Sequence, residues 1–387
     1  MIQISPETQL FIREHSSDDV RALALQAKKY PDIDMPTVIT QIAGRQVAAE
    51  KIPSWREIEE IWYPKHLSLE QCSSEITARY KARLLQGDSL TDLTGGFGID
   101  CSFLATGFKS ATYVERQEEL CEIAAHNFPI LNLNHINVRN EDGVAYLQSM
   151  SPVDCIFLDP ARRNEHGGKT VAISDCEPNV AELEALLLNK ANRVMIKLSP
   201  MLDLSLALKE LKHTQEIHIL SVNNECKELL ILLGQTSPTE ITIHCVNLLT
   251  KGTQEEQHLV FTREQEQRSQ CTYTDSLGNY LYEPNASLLK AGAFRSIAAA
   301  YPVRKLHPNS HLYTSDSFIE NFPGRIFRIV NQCSFNKKEV KENLADLKKA
   351  NVTVRNFPAT VAELRKRLHL TEGGDTYLFA STLNNGQ

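Results

Sequence analysis

The stretch 89–98, SLTDLTGGFG, constrains this 387-residue chain more than any other. A short apolar entry, an acid at Asp92, glycines at Gly95, Gly96 and Gly98, and helix-compatible residues beyond them read as strand, tight turn and helix N-terminus. Glycine reaches backbone conformations closed to other residues, so such a turn lets a ligand approach its N–H groups closely. About one helix and one strand later, ATYVE ends on Glu115, and an acid at a strand's C-terminal end can accept both hydroxyls of a ribose. The pattern predicts a doubly wound α/β sheet with a nucleoside-type ligand at its switch point.

A dinucleotide fingerprint needs G-x-G-x-x-G/A, and the best frame here, Gly96, Gly98 and then Cys101, fails at the third position. Asp92 would repel a diphosphate and suits a ligand that carries an ammonium and a sulfonium. The spacing D-x-x-G-G-x-G with a strand-end acid resembles motif I of class I S-adenosylmethionine-dependent methyltransferases. Downstream, Asp142 in VRNEDGVAYL follows a short apolar segment and opens a helical pattern. VDCIFLDPARR then gives an apolar strand that ends in Asp159 and Pro160, a hydrogen-bond acceptor two crossovers after the glycine turn.

The length predicts two or three domains with buried cores. Charge is uneven: residues 322–387 hold 11 Lys/Arg against 6 Asp/Glu, a net of +5, so the remainder carries −12 of the overall −7. That excludes a wholly basic nucleic-acid-coating protein and confines basic character to the C-terminus. The nine cysteines show no C-x-x-C and no metal spacing, which predicts core thiols and no metal site. With no signal-peptide pattern and no apolar run of about 18 residues, a soluble cytoplasmic protein without a membrane partner is expected.

In chain order, residues 1–66 read as a helical region, with helix starts at Ser5 and at 16–19 and further helices over MPTVITQIAGRQVAAEKI and WREIEEIWYP. Residues 67–85 read as one helix that feeds the glycine strand, with Gln71, Ser74, Thr77 and Ala78 on one face. After Asp159 some twenty residues with little periodicity form a loop at the site edge, where Arg162, Arg163 and Lys169 are cations placed to meet phosphate. The sheet closes with EIHILSV and ELLILLG, joined by a link at 223–227 that requires antiparallel neighbours. Beyond Gly234 come strands including CTYTD, and one amphipathic helix over ASLLKAGAFRSIAAAYP. A final βαβαβ unit starts at GRIFRIVNQ, its first helix capped by Ser334. Its cations, Lys337, Lys338, Lys341, Lys348, Lys349, Arg355, Arg365, Lys366 and Arg367, offer an RNA-phosphate surface.

The ordered set EQCSSEITARYKA, DLTGGFGID, DPARR and IKLSP, closing in VRNFPATVAELRKRLHL, resembles bacterial class I S-adenosylmethionine-dependent methyltransferases with a C-terminal THUMP-like domain. The resemblance implies an α/β fold: a Rossmann-like class I methyltransferase sheet with a helical N-terminal region and C-terminal α+β modules, ferredoxin-like and THUMP-like. The division it implies is 1–66 helical, 67–236 methyltransferase, 237–318 strand-rich and ferredoxin-like (the latter near 276–315), and 319–387 THUMP-like. S-adenosyl-L-methionine is the implied cofactor. It would be bound by Asp92, Thr94, Gly95, Gly96, Gly98, Glu115 (ribose), Arg116, Asp142 (adenine), Gly143 and Asp159. True THUMP domains bind RNA, which points by analogy of fold to a tRNA or rRNA substrate.

Asp159, with the carbonyl of Pro160, would accept hydrogen bonds from an exocyclic amine during direct methyl transfer. The familiar amino-methyltransferase tetrapeptide is D/N-P-P-aromatic, and here Ala161 and Arg162 replace its last two residues. DPAR also resembles the uracil-C5 methyltransferases of RNA, but those need a cysteine just before the proline that ends the next strand. Ser199 stands there instead, which excludes covalent uracil chemistry. A small-molecule or protein methyltransferase, and a non-catalytic RNA-binding protein with a cofactor pocket, stay open as alternatives.

Overall fold

The computed structural model describes residues 4–162, 172–251 and 254–386, with backbone alone at 66, 67 and 162. The chain divides into two compact units, Met1–Glu216 with Leu229–Thr239, and Ile217–Glu228 with Glu240–Gln387.

The first unit opens with helices α1 (Pro6–Glu14), α2 (Val20–Leu25), α3 (Met35–Lys51), α4 (Pro53–Arg56), α5 (His66–Gln71) and α6 (Glu75–Ala82). Ser5, Asp19 and Asp34 cap the first three by accepting the N–H of Thr8, Ala22 and Thr37. The helix expected over WREIEEIWYP shrinks to the single turn of α4, because the chain beyond it is held by side-chain amides. Gln41 brackets the N–H and C=O of Tyr63, and Asn127 does the same for Trp62. The helix expected over 67–85 is two helices, with Cys72 and Ser74 extended at ψ 159° and 155°.

Strand and helix then alternate: β1 (Ser89–Asp92), α7 (Ile99–Ala105), β2 (Ser110–Glu115), α8 (Glu118–Ile130), β3 (Ile136–Asn140), α9 (Gly143–Ser149) and β4 (Val153–Leu158). Short strands β5 (Ala161–Arg162) and β6 (Cys176–Glu177) pair antiparallel. They precede α10 (Val180–Lys190), β7 (Ala191–Leu198), α11 (Leu204–Glu210), β8 (Thr214–Val222) and β9 (Glu225–Gly234). The strand order is β3-β2-β1-β4-β7-β9-β8. β1 lies parallel between β2 and β4, β7 follows parallel to β4, and β9 runs antiparallel to β7. Chain order reverses direction between β1 and β4, so the loops after these two strands meet at the switch point. The hairpin turn is only Asn223 and Asn224, both at positive φ (49° and 69°), which suits a two-residue turn and shortens the expected five-residue link.

The second unit adds β10 (Thr242–Leu248), β11 (Glu256–Thr262), α12 (Arg263–Arg268), β12 (Tyr280–Pro284), α13 (Ala286–Ala291), α14 (Phe294–Ala300), β13 (Arg304–Lys305), β14 (Tyr313–Ser315) and β15 (Gly324–Arg328). α15 (Lys337–Leu344), β16 (Asn351–Arg355), α16 (Val361–Leu368) and β17 (Tyr377–Ser381) complete it. Strands β12 to β15 form one sheet in the order β13-β14-β12-β15, while β16 and β17 pair parallel in another. GRIFRIVNQ therefore pairs with β12, and the expected βαβαβ unit is shared between two sheets. Glu283, 3% exposed, ties them together by ion pairs to Arg325 on β15 and Arg355 on β16. CTYTD contributes only an isolated bridge, between Tyr273 and Lys305. Asn336, not Ser334, caps α15 by accepting the N–H of Glu339. His218, His244 and His258 stand on β8, β10 and β11, the first two rings stacked at 4.2 Å, a grouping that no sequence spacing marked. All nine cysteines are free thiols, five of them buried.

The single helix expected over ASLLKAGAFRSIAAAYP is α13 and α14, parted at Gly292, which ends α13 in the left-handed region (φ 71°, ψ 28°). A Cβ added there would meet nothing closer than 4.0 Å, so a substitution is penalised by backbone conformation alone. Gly292→Ala is expected to cost about 1–2 kcal/mol in chemical denaturation. An unchanged midpoint would show that the turn relaxes without strain.

Candidate active site

The loop after β1 is stitched to both neighbouring strands. Leu93 donates its N–H to the carbonyl of Phe157 on β4 (3.0 Å), and Gly95 donates to that of Val114 on β2 (2.8 Å). A Cβ on Gly95 would lie 2.2 Å from the Tyr113 ring, which is why a side chain is excluded at this position. Gly98, at φ 86°, starts α7. Phe97 points away from the loop, edge-on to Trp55 at 5.3 Å and packed in one cluster with Tyr63 and Ile99. The N-terminal helices thus supply the apolar backing that fixes the glycine turn.

Carboxylates converge on this loop. Asp92, 1% exposed, accepts the Thr94 N–H at Oδ1 (2.9 Å), and the Thr94 hydroxyl accepts the Asp159 N–H (2.7 Å). Glu115 accepts the Gly96 N–H at 3.0 Å and the Gln117 N–H at 2.8 Å, one on each oxygen. Asp142 caps α9 by accepting the N–H groups of Val144 and Ala145, and Gly143 packs so closely that a Cβ would lie 2.2 Å from the Leu93 carbonyl oxygen. Asp92, Thr94, Glu115, Gly143 and Asp159 therefore meet around one turn. Arg116 points outward, 3.6 Å from Glu177, with most of its side chain in solvent. Pro160 leads directly into β5. Arg163, Lys169 and the Arg162 side chain lie outside the described residues.

Four further residues complete the site and were not recognised from sequence. Asp100, in the first turn of α7, sits between Lys81 of α6 (3.1 Å) and Lys197 of β7 (3.3 Å). Ser73 donates to Asp100 at 2.7 Å and accepts from both lysines, at 3.0 and 3.1 Å. Lys197 reaches on to Asp159 at 2.6 Å. The segment before the glycine strand reaches the site through Ser73 and Lys81, and Ala78 packs in one cluster with Phe97 and Ile99. A lysine inside the apolar run RVMIKL was the legible signal, since a lysine is rarely buried without partners.

Burial would raise the Asp100 carboxyl, yet Lys81 and then Lys197, with the Ser73 hydroxyl, hold it well below the usual carboxylate range. Among the described residues Asp92 has no such counter-ion. Burial pushes it up to about 8, against the Thr94 N–H bond and with repulsion from Asp100, Asp159 and Glu115 behind it. Its Oδ2 is buried and makes no hydrogen bond among the described residues.

An open parallel sheet with a reversed terminal hairpin, a glycine turn after β1 and acids at the ends of β2 and β4 is the arrangement of class I methyltransferases. Residues 280–323 match a family model described as a ferredoxin-like domain, and residues 324–387 match one described as THUMP domain-like. The crystal structure of a candidate methyltransferase from Porphyromonas gingivalis W83 is 35% identical, with a TM-score of 0.87 over 100% of this chain and 97% of that one. The chain belongs to this family of class I methyltransferases with a C-terminal THUMP-like domain. More distant structures include an rRNA methylase from Streptococcus thermophilus, 14% identical, with a TM-score of 0.30 over 41% of this chain and 93% of that one. TrmK from M. capricolum, solved with S-adenosyl-homocysteine, is 12% identical, with a TM-score of 0.33 over 43% of this chain and 68% of that one. Likenesses this remote carry no weight for the site. No curated protein matches the chain.

The raised Asp92 sets a pH dependence. Its unfolded value is about 4, so between about pH 4 and pH 8 the native state binds the extra proton and stability falls as pH rises. Asp92→Asn cannot ionise, and its stability advantage over the wild type should grow across that window and vanish at its acid end. Parallel thermal-unfolding profiles for the two chains would contradict the assignment.

Proposed function

We propose that this protein is an S-adenosylmethionine-dependent methyltransferase that modifies a base of tRNA or rRNA by direct transfer. The observation that supports it most is Asp92, a buried carboxylate oxygen without a partner among the described residues, at the foot of the glycine turn. That donor set fits a ligand with an ammonium group and a ribose. Asp92 takes the ammonium, Glu115 the ribose hydroxyls and Asp142 the adenine, while Thr94, Gly95, Gly96, Gly98, Arg116 and Gly143 shape the turn and its rim. When bound, the cofactor supplies a methyl group made electrophilic by a sulfonium, so the protein's part is chiefly positioning. Asp159 and the Pro160 carbonyl accept hydrogen bonds from the attacking amine and aim its lone pair.

The second unit supports an RNA substrate. Arg355 and Arg365 are drawn into ion pairs with Glu283 and Glu372, and Arg367 lies over the Phe335 ring at 4.0 Å. Lys337, Lys338, Lys341, Lys348, Lys349 and Lys366 remain exposed for phosphate contact. Arg162, Arg163 and Lys169 extend that role to the loop after Asp159.

Labelled methyl transfer to RNA and protein fractions from a strain lacking the gene tests this reading. Label in one RNA species, lost in Asp159→Ala, is the expected result; label in protein alone would replace RNA as the substrate. Hydrogen bonds to a carboxylate contribute roughly 1.5–3 kcal/mol each, so Glu115→Ala, losing about two, should weaken cofactor binding on the order of 100-fold in calorimetry. Unchanged affinity would displace the ribose from Glu115.

A further inference from the structure

Lys197 stands near the C-terminal end of an apolar strand, between Ile196 and Leu198, and its own side chain is only 10% exposed. A buried ammonium is costly unless its hydrogen bonds are satisfied. Here Ser73, Asp100 and Asp159 receive it at 3.1, 3.3 and 2.6 Å. Asp100 already has a counter-ion in the wholly buried Lys81 and a donor in Ser73, so neutralising Asp100 does not account for Lys197. Of these three contacts the shortest is to Asp159, whose side chain is 38% exposed at the open end of β4. Through Lys197 the cluster of Asp100, Lys81 and Ser73 thus reaches a part-exposed carboxylate of the site.

Resting on the methyl-transfer reading, we propose that Lys197 is a positioning residue. It anchors Asp159 by one carboxylate oxygen and so leaves the other to accept an N–H of the methyl acceptor. Asp159 is held on one side by Lys197 and through its backbone N–H by Thr94, so its side chain has little freedom left. An ion-paired carboxylate with one oxygen committed orients an amine by a hydrogen bond. This matches an exocyclic amine as acceptor and requires no proton abstraction before transfer. An N–CH3 bond forms as the sulfonium S–CH3 bond breaks, S-adenosylhomocysteine leaves as the thioether, and the nitrogen then releases its proton to solvent.

Lys197→Met keeps the aliphatic stem and removes the anchor. The rate of transfer to the labelled RNA at saturating cofactor should fall about 100-fold, while S-adenosylhomocysteine affinity in calorimetry stays within about threefold of wild type. Lys197→Arg, which restores a donor, should recover at least about tenfold of that loss. Asp159→Asn placed on Lys197→Met should add little, because both changes dismantle one unit. A Met variant with wild-type rate, or rate losses that multiply in the double variant, would overturn the proposal. Should Lys197→Met fail to fold, Lys197→Gln replaces it in the same comparison. A wild-type chain that transfers no label to RNA sinks the RNA reading, and the anchor is then judged by crystallography of the Lys197 variant. An Asp159 side chain displaced from its wild-type rotamer supports the anchor; an unmoved one refutes it.

Discussion

Four carboxylates, those of Asp92, Asp100, Glu115 and Asp159, crowd around the loop after β1, and the site rests on how their repulsion is managed. Two buried lysines, Lys81 and Lys197, are set against Asp100 and Asp159. Glu115 is neutralised in part by backbone N–H groups of the turn itself. Asp92 has no cation among the described residues, and burial pushes its carboxyl up to about 8. Buried ion pairs of this kind rarely add net stability, since desolvation offsets most of their attraction, so their persistence here is better read as a constraint of function than of folding.

That balance depends on the glycine turn lying close to its neighbours. Gly95 brings backbone against the Tyr113 ring, and the turn's N–H groups reach Val114 and Glu115. Phe97, sent in the opposite direction, is gripped by Trp55 of α4 and by Tyr63 in the segment that follows it. The region that opens the chain is thus the backing of the turn, and amide clamps from Gln41 of α3 and Asn127 of α8 hold the backbone of Tyr63 and Trp62 in it. Packing on one side of the turn and charge on the other fix the same ten residues.

In the second unit the same economy appears with different residues. Glu283 collects Arg325 and Arg355 and joins two small sheets, which commits both arginines to one buried carboxylate. The lysines of α15 and α16 and of the segment between α15 and β16 stay in solvent. Arginine's planar fork suits a fixed carboxylate, whereas lysine's flexible ammonium suits a surface that meets phosphates at varied angles.

Much of this was legible in the chain itself. Local patterns carried it: Gly95, Gly96 and Gly98 between apolar segments marked the turn, Glu115 and Asp159 marked strand ends, and the short link at 223–227 marked antiparallel neighbours. Each follows from the allowed backbone conformations and from the two-residue period of strands, and these need only neighbours in sequence. Sequence could not show that Ser73, Lys81, Asp100 and Lys197 share one cluster, because they lie on four separate elements brought together only by the order β3-β2-β1-β4-β7. Nor could it show that GRIFRIVNQ would pair with β12, since edge hydrogen bonds are satisfied by whichever strand packing places beside them. Gly292 divided a continuous amphipathic pattern for a similar reason: the periodicity spanned both helices, and only the left-handed turn at that glycine set them apart. The sequence determined which residues could bind and bend; the tertiary structure decided which of them meet, because charge balance acts across space and not along the chain.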